Sequence, residues 1–121
     1  MDKKLKVFVS YAHKNENYIS EITKRLKILQ HSRLITDYWC DREIVAGDHW
    51  KDVIREQIAT SHLFLLLVDT NFLASDFIQE EELPFIFRCC GNNHGMVVPI
   101  IVEDCPWKSS PLNELQAIIL T

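Results

Sequence analysis

Glycine is scarce in this chain, and its scarcity excludes two common ways of binding nucleotides. Only Gly47, Gly91 and Gly95 occur among the 121 residues. Neither the GxGxxG pattern nor the GxxxxGK(S/T) pattern can be written with glycines at these positions, so neither phosphate-binding loop is present. The GxSxG pattern of serine hydrolases and the HExxH pattern of zinc proteases are absent as well.

Cysteine and histidine are present, but not at the spacing of metal sites. The four cysteines include one adjacent pair and form no CxxC motif, and the five histidines are scattered along the chain. This pattern argues against a zinc site or a disulfide framework and is typical of the reducing cytosol. We therefore predict a cytoplasmic protein that binds no metal and needs no cofactor.

The chain also lacks a long apolar run and a basic stripe. No apolar segment approaches the ~20 residues of a membrane-spanning helix. The net charge of −4 and the pI of about 5.7 argue against nucleic acid as a partner. The length and the apolar content of 47% are those of one soluble globular domain.

Apolar strand patterns alternate with helical patterns, which predicts an α/β fold. The run Leu63–Val68 is unbroken apolar, as in a central strand buried on both faces. Alternation of this kind indicates a parallel sheet covered by helices. Pro99 cannot donate a ladder hydrogen bond, so its strand is predicted near the sheet edge or at a bulge. Strands are predicted at 5–10, 34–39, 63–68, 96–102 and within 112–120, and helices over 18–29, from 48 onward, and over 75–91.

The last strands lack a helix to cover one face. After the fourth strand the chain offers only a segment with two prolines and two serines, 106–111, which are poor helix formers. We therefore expect 1–121 to be a single domain that lacks its last helix, with a sensor or partner domain beyond Thr121 in a longer protein.

An acidic cluster, Glu80-Glu81-Glu82, lies between Phe77 and Pro84 and follows the apolar strand 63–68. Ligands of α/β sheets bind beyond the carboxyl ends of the strands. A carboxylate held near an aromatic ring there can stabilise a developing positive charge. The alternative is three surface glutamates at a helix start, favoured by the helix dipole. Pro84 is expected to bend this helix and to direct Glu81.

A phosphoacceptor receiver domain would share this sheet, with Asp69 at the end of the third strand. Such a site also needs acidic residues after the first strand to hold Mg²⁺. That position is occupied by Ser10 and Tyr11. The receiver interpretation fails on this point.

Five segments in register resemble those of the TIR (Toll/interleukin receptor/resistance) family, bacterial members above all. They cover nearly the whole chain: FVSY at 8–11, WCDREIVAGDHW at 39–50, LLLV with NFLAS at 65–68 and 71–75, VPII at 98–101, and LQA at 115–117. The resemblance implies a flavodoxin-like, three-layer fold with about five parallel strands. Two departures are Ala46, where many members have proline, and the absence of the third box.

Many TIR domains that resemble this chain cleave NAD⁺ between nicotinamide and ribose. Their catalytic pattern, an aromatic residue and a glutamate four residues later, is similar to Phe77 and Glu81. Trp39 and Glu43 have the same spacing but lie on the family's BB loop, so they are the lesser candidate. The resemblance thus implies catalysis by Glu81, with Phe77 packing on the substrate, in an effector of bacterial anti-phage defence.

The resemblance also implies further contacts to NAD⁺ and to other copies of the chain. Substrate contacts are expected at Ser10, Tyr11, His13 and Trp107, although each side chain has an ordinary structural alternative. TIR relatives often close the active site of one copy with the BB loop of the next, forming homo-oligomers or filaments. The BB-loop residues are Asp41, Arg42, Glu43, Ile44, Val45 and Gly47. The rival hypothesis is a non-catalytic scaffold that signals through TIR–TIR contacts.

Overall fold

The fold is built on a five-stranded parallel sheet with strand order β2-β1-β3-β4-β5. The computed structural model describes residues 5–12, 16–40, 50–93, 95–115 and 117–119. The strands are β1 Lys6–Ser10, β2 Asp37–Cys40, β3 Leu63–Val68, β4 Met96–Ile101 and β5 Ile118–Ile119. This order is that of flavodoxin-like folds. The predicted α/β class and the parallel five-stranded sheet are confirmed.

The helices lie on both faces of the sheet. They are α1 Glu16–His31, α2 Trp50–Thr60, α3 Thr70–Ala74, a π-helix Ile78–Glu82, and α4 Leu83–Asn93, with short 3₁₀ turns at Trp107–Ser109 and Pro111–Glu114. None of the helices in the described ranges is long and apolar enough to cross a membrane.

The core divides into two clusters because successive side chains of a strand point to opposite faces. Val7 and Val9 of β1 pack with Ile19 of α1 in one cluster. Phe8, between them, packs with Ile58 of α2 in the other. The second cluster also receives the buried side chains of the π-helix and of α4, so this face carries the candidate site.

The predicted second strand begins three residues too early, because α1 ends in a Schellman motif. Arg33 has a positive φ of 63°, the left-handed conformation that reverses the chain after a helix. Its N–H donates to the Gln30 carbonyl, and the Leu34 N–H donates to the Leu29 carbonyl. Leu34, predicted in the strand, is instead in this cap and is 65% exposed.

Pro99 lies in a strand next to the sheet edge, as its missing N–H predicts. β4 pairs with β3 along its full length, with Pro99 opposite Leu66. On its other side it pairs with β5 only at Ile100 and Ile101. The missing N–H of Pro99 is therefore not needed for pairing with the described part of β5.

The fifth strand, predicted within 112–120, is confirmed as the short strand β5, Ile118–Ile119. A 3₁₀ turn, Pro111–Glu114, buries Leu112, and β5 follows as a separate strand. Ile118 and Ile119 are 50% and 57% exposed. Whether residues beyond Thr121 cover them stays a prediction.

Candidate active site

A cleft opens between α2 and the segment that joins the π-helix to α4. It encloses about 230 Å³, including its open side. Most of its lining is apolar, with one cation and two carboxyl groups. The lining residues are Ile54, Arg55, Ile58, Phe77, Glu81, Glu82 and Phe85.

The cleft borders the point where the strand order reverses. The chain leaves β1 toward β2 on one side, while β3 lies on the other. Ser10, the last residue of β1, pairs with Leu66 of β3. Side chains that converge on this switch point of a parallel sheet are placed where α/β proteins bind ligands.

The acidic cluster forms a π-helix, not the α-helix that the spacing from Phe77 to Glu81 assumed. The Leu83 N–H donates to the carbonyl of Ile78, five residues earlier, whereas an α-helix joins residues four apart. Pro84 gives a physical reason for the wider turn, because in an α-helix its ring would clash with the Glu80 carbonyl.

Glu82 is the buried acid of the site. It is 1% exposed, and burial raises its pKa to about 7, a shift that the nearby Ser10 hydroxyl opposes. Ser10 is itself 0% exposed. No hydrogen bond of normal geometry reaches either carboxyl oxygen of Glu82 or the Ser10 Oγ from the described part of the chain. The two groups are thus neighbours that do not satisfy each other.

Glu81 lines the same cleft with a carboxylate that is largely in solvent. Its side chain is 44% exposed, and its Oε2 lies 3.8 Å from an Arg55 guanidinium nitrogen. The Arg55 guanidinium also lies 5.8 Å from the centre of the Phe85 ring. Glu81, the predicted catalytic residue, therefore takes part in an ion pair between α2 and the π-helix.

The structure brings together some of the predicted substrate-binding residues. Phe77 lines the cleft, and Ser10 contacts Glu82. Tyr11 is buried in the other core cluster, on the α1 side of the sheet. Trp107 packs partly buried on the same cluster as the π-helix, with the Lys108 ammonium 6.0 Å from its ring centre, but it does not line the cleft.

Several predicted site residues lie outside the described ranges. They are His13 and the BB-loop residues Asp41, Arg42, Glu43, Ile44, Val45 and Gly47. Trp39, the aromatic of the lesser candidate pair, is buried in β2, where its ring stacks on Phe8 with centroids 5.3 Å apart.

Metal and thiol chemistry find no support in the described part of the chain. No group of three His, Cys, Asp or Glu side chains there could hold a metal ion. Burial raises the pKa of the Cys89, Cys90 and Cys105 thiols. A raised pKa lowers the thiolate fraction and with it the nucleophilicity of these cysteines.

Comparison with known proteins gives the family. A family model described as TIR domain matches residues 7–121. The chain belongs to the TIR domain family. The TIR resemblance of the five sequence segments is thereby confirmed.

The relatives of this TIR domain extend the comparison without assigning an activity. An uncharacterized protein of Sinorhizobium fredii (strain NBRC 101917 / NGR234), y4lF, is 33% identical over 112 residues, which are 93% of this chain. The chain spans about a third of that relative, 34% of its length. The TIR domain of the Toll-related receptor TRR-2 from Hydra magnipapillata has the same fold, with a TM-score of 0.62. Its sequence identity is 15%, and the match covers 94% of this chain and 82% of the receptor domain.

Proposed function

We propose that this TIR domain is an NAD⁺ glycohydrolase that cleaves the bond between nicotinamide and ribose. The observation that carries the proposal is a pair of carboxyl groups, Glu81 and Glu82, on a cleft at the switch point of the sheet. One of them is buried beside Ser10, and the aromatic ring of Phe77 lines the same cleft. Membership of the TIR family supports this assignment but does not by itself imply it.

The reaction needs an anion but no acid. Nicotinamide leaves as a neutral molecule from a cationic precursor, so no proton has to be delivered to it. The ribose passes through a transition state with oxocarbenium character, which a nearby carboxylate stabilises. The planar face of Phe77 is suited to contact the nicotinamide ring.

A buried carboxyl with a raised pKa fits this role when the substrate is bound. An opposite charge at close range favours the ionised form of an acid. The positive charge of the nicotinamide ring would therefore lower the pKa of a carboxyl beside it and generate the anion where the reaction requires it. Cleavage would then leave the nicotinamide ring neutral, so the ring would no longer lower the pKa of the carboxyl group. This favours release of nicotinamide.

The cleft is small for a dinucleotide, which supports a site completed by a second copy. Small-molecule sites enclose roughly 300–1,000 Å³, whereas the volume of about 230 Å³ found here includes solvent on the open side of the cleft. Most of NAD⁺ would therefore contact other surfaces. We propose that the BB loop of a neighbouring copy supplies one of these NAD⁺-contacting surfaces, so that activity depends on homo-oligomers or filaments.

In the cell, this activity would serve as the effector step of an anti-phage response in the cytoplasm. Destruction of NAD⁺ stops the metabolism of an infected cell, so the enzyme has to be silent until assembled. A partner or sensor domain would control assembly. Expression in a sensitive bacterium should lower phage plaque counts, and a variant without the two carboxyl groups should not.

The direct test measures nicotinamide release from NAD⁺ by protein clustered through a fused oligomerising domain. We expect the rate per chain to rise steeply with clustering, and the Glu81→Gln/Glu82→Gln double variant to be inactive under the same conditions. Absence of release from the clustered wild-type protein would contradict the proposal. If self-association persists in that case, the chain acts as a TIR scaffold.

A further inference from the structure

We propose that the carboxylate of Glu82, positioned by the π-helix, is the one that faces the substrate. Glu81 instead holds Arg55 at the edge of the cleft. What the substrate-facing carboxylate does rests on the proposed function. Which of the two glutamates is placed to do it follows from the geometry of Ile78–Glu82 and from the partners of each side chain.

The width of the turn changes which glutamates share a helix face with Phe77. In an α-helix, residues four apart share a face, so Phe77 would stand with Glu81. The π-helix joins residues five apart, as the Leu83 N–H to Ile78 carbonyl bond shows. Five residues after Phe77 comes Glu82. One extra residue in the turn therefore brings Glu82, and not only Glu81, to the side of the helix that carries Phe77.

Packing on both sides of the turn fixes this register. Ile78, at the start of the π-helix, is 3% exposed, and Leu83, directly after it, is also 3% exposed. Both belong to the core cluster against the sheet. Glu82 lies between these anchors on the buried side, whereas Glu80 and Glu81 are exposed.

The two carboxyl groups differ in what they already contact. Glu81 has a cation, Arg55, at 3.8 Å, and its charge is shared with solvent. Glu82 has no hydrogen-bond partner in the described ranges, although it lines the cleft and is 1% exposed. A buried polar group is normally hydrogen-bonded, so an unpaired one in a cleft is available to a ligand.

The test compares three single substitutions of the same chemical kind on the same turn. Glu80→Gln, Glu81→Gln and Glu82→Gln are measured for nicotinamide release at matched clustering. We expect Glu82→Gln to lose at least about 100-fold, the size expected when one electrostatic contact to a transition state is removed. The control Glu80→Gln, exposed and outside the cleft lining, should stay near wild type. Glu81→Gln should lose clearly less than Glu82→Gln, because the Glu81 carboxylate already pairs with Arg55.

A second pair of variants keeps the test decisive if Glu82→Gln does not fold. Glu82→Asp keeps the charge but retracts it by one methylene, and we expect a loss of at least about tenfold, from the misplacement of a catalytic group. Glu81→Asp should lose less than Glu82→Asp. An inactive Glu81→Gln together with an active Glu82→Gln would overturn the assignment and leave the proposed function standing.

If the clustered wild-type protein releases no nicotinamide, the proposed function fails and the register is judged separately. The measurement is then the urea midpoint of unfolding between pH 4 and pH 8. A pH dependence in this range that is reduced in Glu82→Gln and unchanged in Glu81→Gln supports the register. A reduction in Glu81→Gln alone overturns it. The charged or titratable side chains that line the cleft are Arg55, Glu81 and Glu82, and the contribution of Asp69, whose pKa burial also raises, is common to both variants.

Discussion

Asp69 and Glu82 are both 1% exposed, yet the two buried acids differ in their hydrogen bonding. Asp69 follows β3 and caps α3, where its Oδ1 accepts a hydrogen bond of 2.7 Å from the Phe72 N–H. Glu82 accepts no such bond in the described ranges. A buried acid that satisfies a helix terminus is part of the scaffold. A buried acid without a partner has to be explained by something other than stability.

Burial is the main cause that raises the pKa of both groups, and different neighbours oppose it. Burial raises the pKa of Asp69, but the hydrogen bond from Phe72 opposes the rise, and Glu103 adds to it. Burial raises the pKa of Glu82 to about 7. This value for Glu82 lies close to neutral pH, where a small change in surroundings alters the charge.

The largest expected effect is a gain in stability when Glu82 is replaced by methionine. A carboxyl whose pKa is raised on folding contributes its full stability below the unfolded value, 4.5, and loses it as pH rises toward about 7. At pH 8 the buried charge costs roughly 3 kcal/mol, which Glu82→Met removes. Urea unfolding should show this gain at pH 8 and a smaller gain at pH 5. A less stable variant at pH 8 would contradict the account.

The second prediction is a loss of stability when Asp69 is replaced. Asp69→Ala leaves the buried Phe72 N–H without an acceptor and should lower the free energy of unfolding by about 2 kcal/mol. Asp69→Asn is the matched control, because asparagine caps helices nearly as well as aspartate. If Asp69→Asn costs as much as Asp69→Ala, the carboxylate has a role beyond capping and the comparison fails.

A smaller effect is expected from substitution of Ser10, the neighbour of Glu82. The Ser10 hydroxyl lowers the pKa of this acid, so Ser10→Ala should move the pH midpoint of the stability change upward. The change in stability at pH 5 should be less than about 1 kcal/mol, since the contact between the two side chains lacks normal hydrogen-bond geometry. An unchanged midpoint would mean that Ser10 and Glu82 do not interact.

The smallest effect concerns Arg55 and Glu81. Their side chains are 54% and 44% exposed, so the pair is screened by solvent. A double-mutant cycle with Arg55→Gln and Glu81→Gln should give a coupling of about 0.5 kcal/mol that decreases in high salt. A coupling of several kcal/mol, insensitive to salt, would show that Glu81 is as buried in solution as Glu82.

The sheet was predictable from the sequence, and the register of the acidic turn was not. Apolar runs such as Leu63–Val68 report burial on both faces directly, and all five strands were found. The spacing of the TIR catalytic pattern pointed from Phe77 to Glu81, and a spacing along the sequence does not register a π-helical turn. The signal for a wider turn was Pro84, whose ring disfavours α-helical geometry at the Glu80 carbonyl. Pro84 was expected to bend the helix and to direct Glu81, but not to widen the turn.

The helix cap at Asp69 was also not predictable from residue type alone. Asp69-Thr70-Asn71 has the composition of a polar turn, and asparagine or aspartate serves turns and helix caps equally well. The structure has a short helix there, with Phe72 buried at 0% exposure. Residue type alone does not separate these two uses, because the deciding contact is the burial of an apolar side chain.

The most direct test of the central claim is the titration of the glutamate carboxyl groups by carbon NMR. The account predicts one glutamate carboxyl with a midpoint near 7, absent in Glu82→Gln and retained in Glu81→Gln. A wild-type spectrum in which every glutamate titrates near 4.5, or a high midpoint that persists in Glu82→Gln, would contradict it.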